Sequence, residues 1–261
     1  MTGHRVSPKH ALGQHFLVDP NILRVIGRLA ELDDSDVVLE VGPGLGVLTT
    51  FLADRVGHVH AVEIDRSLRR QLQDTVGGRS NVDLVFGDTM RLDLSLLEPS
   101  PTKLVSNLPY NVAAQLVMRT LEDLPTVRMW CVMVQREVGV RFFAAPGSKS
   151  YGAISVLVQL AARRTGTHAV SRTVFRPRPR VDSLLVAFVR LPPRPDLDRV
   201  KHVVQAAFAH RRKTLPNSLE LAGIAQRDRS AAALATIGHG AATRAEALTP
   251  AEFVRLAELL S

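Results

Sequence analysis

A chain of 261 residues, 46% hydrophobic and 22% charged, has room for one catalytic-sized domain, a small appendage and a proper core. Its 33 Lys and Arg outnumber 25 Asp and Glu, leaving +8 at pH 7, mostly as arginine, whose planar fork suits phosphate and base contacts and points to a polyanionic partner. The single cysteine, Cys131, excludes an intrachain disulfide and a cysteine metal cluster. The N-terminus lacks the apolar core of a signal peptide, and no run approaches the roughly 18 apolar residues of a membrane span, so a cytoplasmic protein is expected.

A basic arm (1–18) comes first. Asp19-Pro20 then reads as a helix N-cap followed by proline in the first turn, opening a helix to about Glu31. Short β-branched runs at 37–41, 59–62, 82–86, 103–106 and 129–134 alternate with helical patterns at 47–56, 67–75 and 113–122. This alternation predicts a doubly wound α/β, Rossmann-like domain with a mostly parallel sheet. A further apolar helix at 154–162 and extended segments near 167–170 and 184–191 follow. The proline-rich stretch at 191–195 reads as a linker, placing a catalytic domain at 1–194 and a small helical domain at 195–261. Thr249-Pro250-Ala251-Glu252 has the form of a capping box opening the last helix.

Three features fall at successive strand ends, the rim where open α/β sheets bind ligands. Glu40-Val41-Gly42-Pro43-Gly44-Leu45-Gly46 joins the first of these strands to a helix. Val47 stands where a dinucleotide fingerprint needs glycine, and the lysine of a phosphate-binding P-loop is missing. The remaining form, GxGxG preceded by an acid, is that of S-adenosylmethionine enzymes, with Gly42 and Gly44 letting the backbone approach the ligand. Glu63 ends the next strand, where a carboxylate can accept from both ribose hydroxyls. Asp88 ends the third, placed to accept from the exocyclic amine of the cofactor's adenine.

Asn107-Leu108-Pro109-Tyr110 follows the fourth strand and has the polar-x-Pro-aromatic form of enzymes that methylate exocyclic amines. The lone pair of adenine N6 is delocalised into the ring, so the amine is a poor nucleophile. The Asn107 side-chain oxygen and the Leu108 carbonyl can accept its two hydrogens and favour a pyramidal nitrogen. Pro109 stiffens that backbone, and Tyr110 can stack on an extruded base. The reaction needs neither a strong base nor a metal, and the histidines show no ligand spacing, so no metal is expected.

Taken with Leu12-Gly13-Gln14-His15-Phe16-Leu17, Phe175-Arg176-Pro177-Arg178-Pro179-Arg180-Val181-Asp182-Ser183 and Ala207-Phe208-Ala209-His210-Arg211-Arg212-Lys213-Thr214-Leu215, these motifs resemble the ribosomal RNA adenine N6-dimethyltransferase family over nearly the whole chain, most closely its small-subunit members. The resemblance implies a class I S-adenosylmethionine methyltransferase domain with a helical appendage. The implied activity is dimethylation of two adjacent adenosines near the 3′ end of 16S rRNA in the immature small subunit, by a monomer. By the same resemblance His15, Leu17, Gly42, Glu63, Asp88 and Asn107 line the cofactor. Asn107, Leu108, Tyr110 and an exposed-loop Phe175 hold the adenine. Arg178 and Arg180, and Arg211, Arg212 and Lys213 on a basic helix, meet RNA. Two departures stand out: His15 replaces a more usual Asn but can still donate a hydrogen bond, and Pro216 is expected to disturb the helix after Lys213. The competing readings are a large-subunit (23S) adenine methyltransferase conferring macrolide resistance, and a non-catalytic nucleic-acid binder or assembly factor.

Overall fold

The computed structural model describes residues 14–261; Leu12 and Gly13 of the N-terminal motif, with most of the basic arm, lie outside them. Asp19 caps the first helix as expected. Its carboxylate accepts from the Asn21 N–H at 2.7 Å, Pro20 occupies the first turn, and α1 runs Pro20–Leu29.

Seven strands form one sheet. In chain order they are β2 (Val37–Val41), β3 (His58–Glu63), β4 (Val82–Phe86), β5 (Lys103–Asn107), β6 (Met129–Gln135), β7 (Ala162–Val170) and β9 (Ser183–Arg190), arranged β4-β3-β2-β5-β6-β9-β7. The pairs β2–β3, β3–β4, β2–β5 and β5–β6 are parallel; β9 returns antiparallel to β6. Strands covered on both faces read as continuous apolar runs, and Met129 through Val134 are all buried. The helices α2 (Val47–Ala53), α3 (Arg69–Val76) and α4 (Ala113–Asp123) make the crossovers. The chain moves outward from β2 to β4, then returns to the other side of β2 with β5. That reversal opens a crevice at the carboxyl ends of β2 and β5, the general ligand position of such sheets. A second ladder is too short to read in a sequence: β1 (Phe16–Leu17) pairs antiparallel with β8 (Phe175–Arg176).

Several polar anchors hold this framework. Arg190, at the end of β9, donates to the carbonyls of Leu121, Leu124 and Val127 at 2.9, 2.8 and 2.7 Å, satisfying acceptors left over at the end of α4. Its guanidinium stacks on Trp130, which in turn stacks on Phe188 with ring centroids 5.3 Å apart. Lys103 pairs with the buried Asp36 at 2.8 Å and also donates to the Ala30 and Glu31 carbonyls, tying the starts of β2 and β5 to the end of α1.

The described chain separates into two compact units. One holds everything up to Gly139 together with Arg164–Arg190; the other holds Val140–Arg163 with Leu191–Ser261. The proline-based boundary at 194/195 falls close to Leu191. The segment before Arg164, however, which sequence order assigns to the catalytic domain, folds with the C-terminal helices. Its α6 (Ala153–Ala161) is apolar on most sides, and buried Tyr151 donates its hydroxyl to the Leu248 carbonyl at 2.7 Å and meets Phe208 edge-on. The rest of this unit comprises α7 (Leu197–Ala209), α8 (Leu215–Leu221), α9 (Arg227–Thr236) and α10 (Pro250–Leu259); α5 (Arg136–Phe142) spans the division in the chain. The capping box forms as read: Thr249 Oγ1 accepts from the Glu252 N–H, and the Glu252 carboxylate accepts from the Thr249 N–H. Among the described residues no helix is long and apolar enough to cross a membrane.

Candidate active site

The glycine loop leaves β2 at Val41. Gly42 extends the parallel ladder by donating to the Val62 carbonyl at 2.9 Å, after which the chain turns sharply. Gly44 has φ +60°, and a Cβ there would sit 2.8 Å from the Phe16 ring. Gly46 caps α2 at φ +82°, with a Cβ 3.1 Å from Thr75. At both positions an L side chain is strained as well as crowded.

Two acids flank the loop. Glu63, the last residue of β3, is buried and accepts from the Gly44 N–H at 3.1 Å and the Asp65 N–H at 2.8 Å. It therefore braces the loop, while each carboxylate oxygen retains a lone pair for a ligand hydroxyl. Burial pushes its pKa up, partly offset by those two N–H donors. Glu40 lies deeper at 1% exposure, and its Oε2 has no hydrogen-bond partner among the described residues. Burial, helped by the neighbouring charge of Glu63, pushes its carboxyl up to about 8.

The tetrapeptide leaves β5 beside this loop. The Asn107 amide donates to the His15 carbonyl at 3.1 Å, which fixes the side chain, and its Oδ1 is given no donor among the described residues. Leu108 is buried, and its N–H donates to the Met133 carbonyl at 3.0 Å. The Pro109 carbonyl accepts from Val112 as the chain turns into α4. Tyr110 is held by a 2.7 Å hydrogen bond between its hydroxyl and Ser183 Oγ, with the His15 ring tilted over it at 5.5 Å. Burial raises the Tyr110 pKa, so it serves as a neutral ring. The His15 Nδ1–H donates to the Pro177 carbonyl at 2.8 Å. This bond leaves Nε2 as the ring nitrogen not engaged by Pro177.

His15, Leu17, Gly42, Gly44, Glu63, Asp88, Asn107, Leu108, Pro109 and Tyr110 all line one cavity of about 1060 Å³, including the solvent at its mouth. Asp88 is divided in its use: one oxygen accepts from the Met90 N–H at 2.9 Å to close a turn, the other lies 3.6 Å from Arg91. Ile64 is not marked in the sequence, and Phe16 enters it only as part of the 12–17 motif. Phe16 packs against the glycine loop, and Ile64, half-exposed, adds an apolar wall beside Glu63. An acid followed by an apolar residue at a strand end was the available signal.

Phe175 requires a correction. It is 0% exposed, pairs with Leu17 across the β1–β8 ladder and packs in the core with Met133 and Leu185, rather than lying in an exposed loop at the cavity wall. Arg178 and Arg180 on the following loop are exposed. Arg211, Arg212 and Lys213 are also exposed, but they form the turn between α7 and α8 rather than a helix face. Arg211 donates to the Tyr151 carbonyl at 2.9 Å and approaches Glu246. Pro216 breaks nothing: it sits in the first turn of α8, where a missing N–H costs no hydrogen bond.

The glycine cradle and the buried acid at the end of β3, both lining one cavity, fit S-adenosylmethionine, which supplies an electrophilic methyl on a sulfonium when bound. A model of the family described as ribosomal RNA adenine dimethylase matches residues 6–261. The chain is 48% identical over 262 residues to the ribosomal RNA small subunit methyltransferase A of Rubrobacter xylanophilus, covering 100% of this chain and 98% of that one. It is 46% identical over 264 residues to the protein of the same name from Acidothermus cellulolyticus, with 97% and 89% covered. Among solved structures, the 23S rRNA methyltransferase ErmE aligns at TM-score 0.72 and 28% identity, over 94% of this chain and 99% of that one. A dimethyladenosine transferase from Plasmodium falciparum aligns at TM-score 0.77 and 23% identity, over 93% and 96%, and shares the fold. The chain belongs to the ribosomal RNA adenine dimethylase family: it is an adenine dimethyltransferase acting on ribosomal RNA, with S-adenosylmethionine as its methyl donor.

Proposed function

We propose that the protein dimethylates N6 of two adjacent adenosines near the 3′ end of 16S rRNA in the immature small ribosomal subunit, acting as a monomer in the cytoplasm. Whole-length similarity to small subunit methyltransferases supports this choice of subunit. The observation that carries the chemistry is the Asn107 amide locked on the His15 carbonyl, on a residue that lines the cavity.

In this reading His15, Leu17, Gly42, Gly44, Glu63, Asp88 and Asn107 hold the cofactor. Asn107 Oδ1 and the Leu108 carbonyl accept the two N6 hydrogens, drawing the nitrogen toward a pyramidal form with its lone pair exposed. Tyr110, tethered to Ser183, offers a fixed face for the adenine. As the new nitrogen–carbon bond forms, the methyl's bond to sulfur breaks and the donor leaves as the neutral thioether S-adenosylhomocysteine; the nitrogen then releases a proton to solvent, so none of these residues need act as a strong base. Phe175 reaches the base only by leaving its core position. Arg178, Arg180, Arg211, Arg212 and Lys213 contact rRNA phosphates.

The test presents labelled S-adenosylmethionine and purified, unmethylated small and large subunits separately to the protein and to its Glu63→Ala variant. Label confined to the small subunit and lost in the variant, which still sediments with small subunits, is the expected result. Label in the large subunit moves the assignment to a 23S enzyme. No label in either leaves a binding or assembly role.

A further inference from the structure

At the edge of the sheet opposite the cavity, His58 and His60 begin β3, and Asp83 stands second in β4, directly across from His60. Residues two apart on a strand share a face, so both imidazoles meet one carboxylate. His58 Nε2 lies 2.9 Å from Asp83 Oδ2, and His60 Nδ1 lies 3.4 Å from the same oxygen.

His60 is the informative member. Its Nε2 is 2.8 Å from the Pro99 carbonyl, which can only accept, so Nε2 carries the ring proton and Nδ1 presents a lone pair. That ring is 1% exposed, and Nδ1 has no hydrogen-bond partner among the described residues. A buried lone pair aimed at a carboxylate oxygen is costly unless something positive lies between them. A histidine whose second nitrogen is oriented by a backbone carbonyl is also the usual arrangement behind a metal ligand.

We propose that His58, His60 and Asp83 form a binding site for a divalent transition metal of the zinc type. Two imidazoles and one carboxylate are ligands for Zn²⁺, whereas Mg²⁺ and Ca²⁺ require oxygen-rich sets. The three ligand atoms lie within 4.8 Å of one another. Tetrahedral bonds of about 2.0–2.1 Å place neighbouring ligand atoms about 3.4 Å apart, so small rotations close the site. Asp83, half-exposed, leaves the fourth position to water. The metal would clip β4, the edge strand and the least buried of the parallel set, to β3. It is structural, because the cofactor cavity lies at the other end of β3, beyond Glu63. The sequence reading found no ligand spacing because the set is completed only by strand register.

The experiment uses the full chain, stripped with chelator and dialysed. Thermal unfolding is followed with added Zn²⁺ or Mg²⁺, and Co²⁺ is added as a visible probe of tetrahedral geometry. At about a hundred times its Kd, Zn²⁺ should raise the Tm by about 5–10 °C while Mg²⁺ does not, and Co²⁺ should produce a tetrahedral spectrum. Asp83→Ala, a change at a half-exposed position, should abolish both responses while leaving the metal-free Tm within about 2 °C. His60→Ala should abolish the Co²⁺ spectrum as well, with Asp83→Ala carrying the test if the buried change fails to fold. A wild type that gives no Co²⁺ spectrum, or an Asp83→Ala variant that responds as the wild type does, would overturn the site.

Discussion

At the scale of single residues, the site is built by spending ordinary hydrogen bonds to leave particular groups unspent. Asn107 gives its amide to His15, Glu63 braces Gly44, and His15 gives its Nδ1–H to Pro177. Glu40 is the least satisfied of these residues, and its raised pKa makes a testable statement. The folded chain holds a proton on Glu40 that the unfolded chain releases, between the usual 4.5 and about 8. Its stabilising contribution is therefore complete below the lower value and is lost as pH rises through the upper one. Glu40→Gln removes the titration. The cofactor-free variant should match the wild type near pH 5 and exceed it increasingly toward pH 8, by an amount on the order of a few kcal/mol in urea unfolding. Parallel stability profiles for the two proteins would show that Glu40 is ionised in the folded state.

At the scale of elements, what was legible in the sequence depended on whether the signal was local. The strands β2 and β4 are legible to the residue because each run is bounded by turn residues, and so are the starts of α1 and α10, because Asp19 and Thr249 cap them in the chain itself; the end of α1 falls at Leu29, short of the expected Glu31. The two-residue β1–β8 ladder has no local signature, and it is this pairing that carries Phe175 into the core. The resemblance places the basic run 211–213 on a helix, whereas the chain turns there and α8 starts again at Leu215-Pro216. Nor does sequence show Arg190 closing the end of α4 from a distant strand. Replacing it with alanine leaves the Leu121 and Val127 carbonyls without this donor, while Leu124 keeps the Val127 N–H, and should destabilise the protein by about 2–4 kcal/mol in denaturant unfolding. A loss below about 0.5 kcal/mol would make it an ordinary surface arginine.

For the molecule as a whole, the excess of arginine becomes a quantitative expectation about rRNA. Arg178 and Arg180 are exposed on a loop of the same unit as the cavity, beyond Pro177, the carbonyl that orients His15. If both meet phosphates, replacing them with glutamine should lower the slope of log affinity against log salt by about 1.4–1.8 in subunit binding. Methyl transfer to bound substrate should change less than binding does. An unchanged slope would place the phosphate contacts elsewhere.

The most direct test of the central claim is the identity of the methylated base and its dependence on Asn107. Unmethylated small subunits are incubated with S-adenosylmethionine and either wild type or Asn107→Ala, and the RNA is digested to nucleosides and weighed by mass spectrometry. The account predicts N6,N6-dimethyladenosine from the wild type and at least about a 100-fold slower appearance from the variant at saturating S-adenosylmethionine. Another methylated nucleoside, or dimethyladenosine formed equally fast by Asn107→Ala, would contradict it.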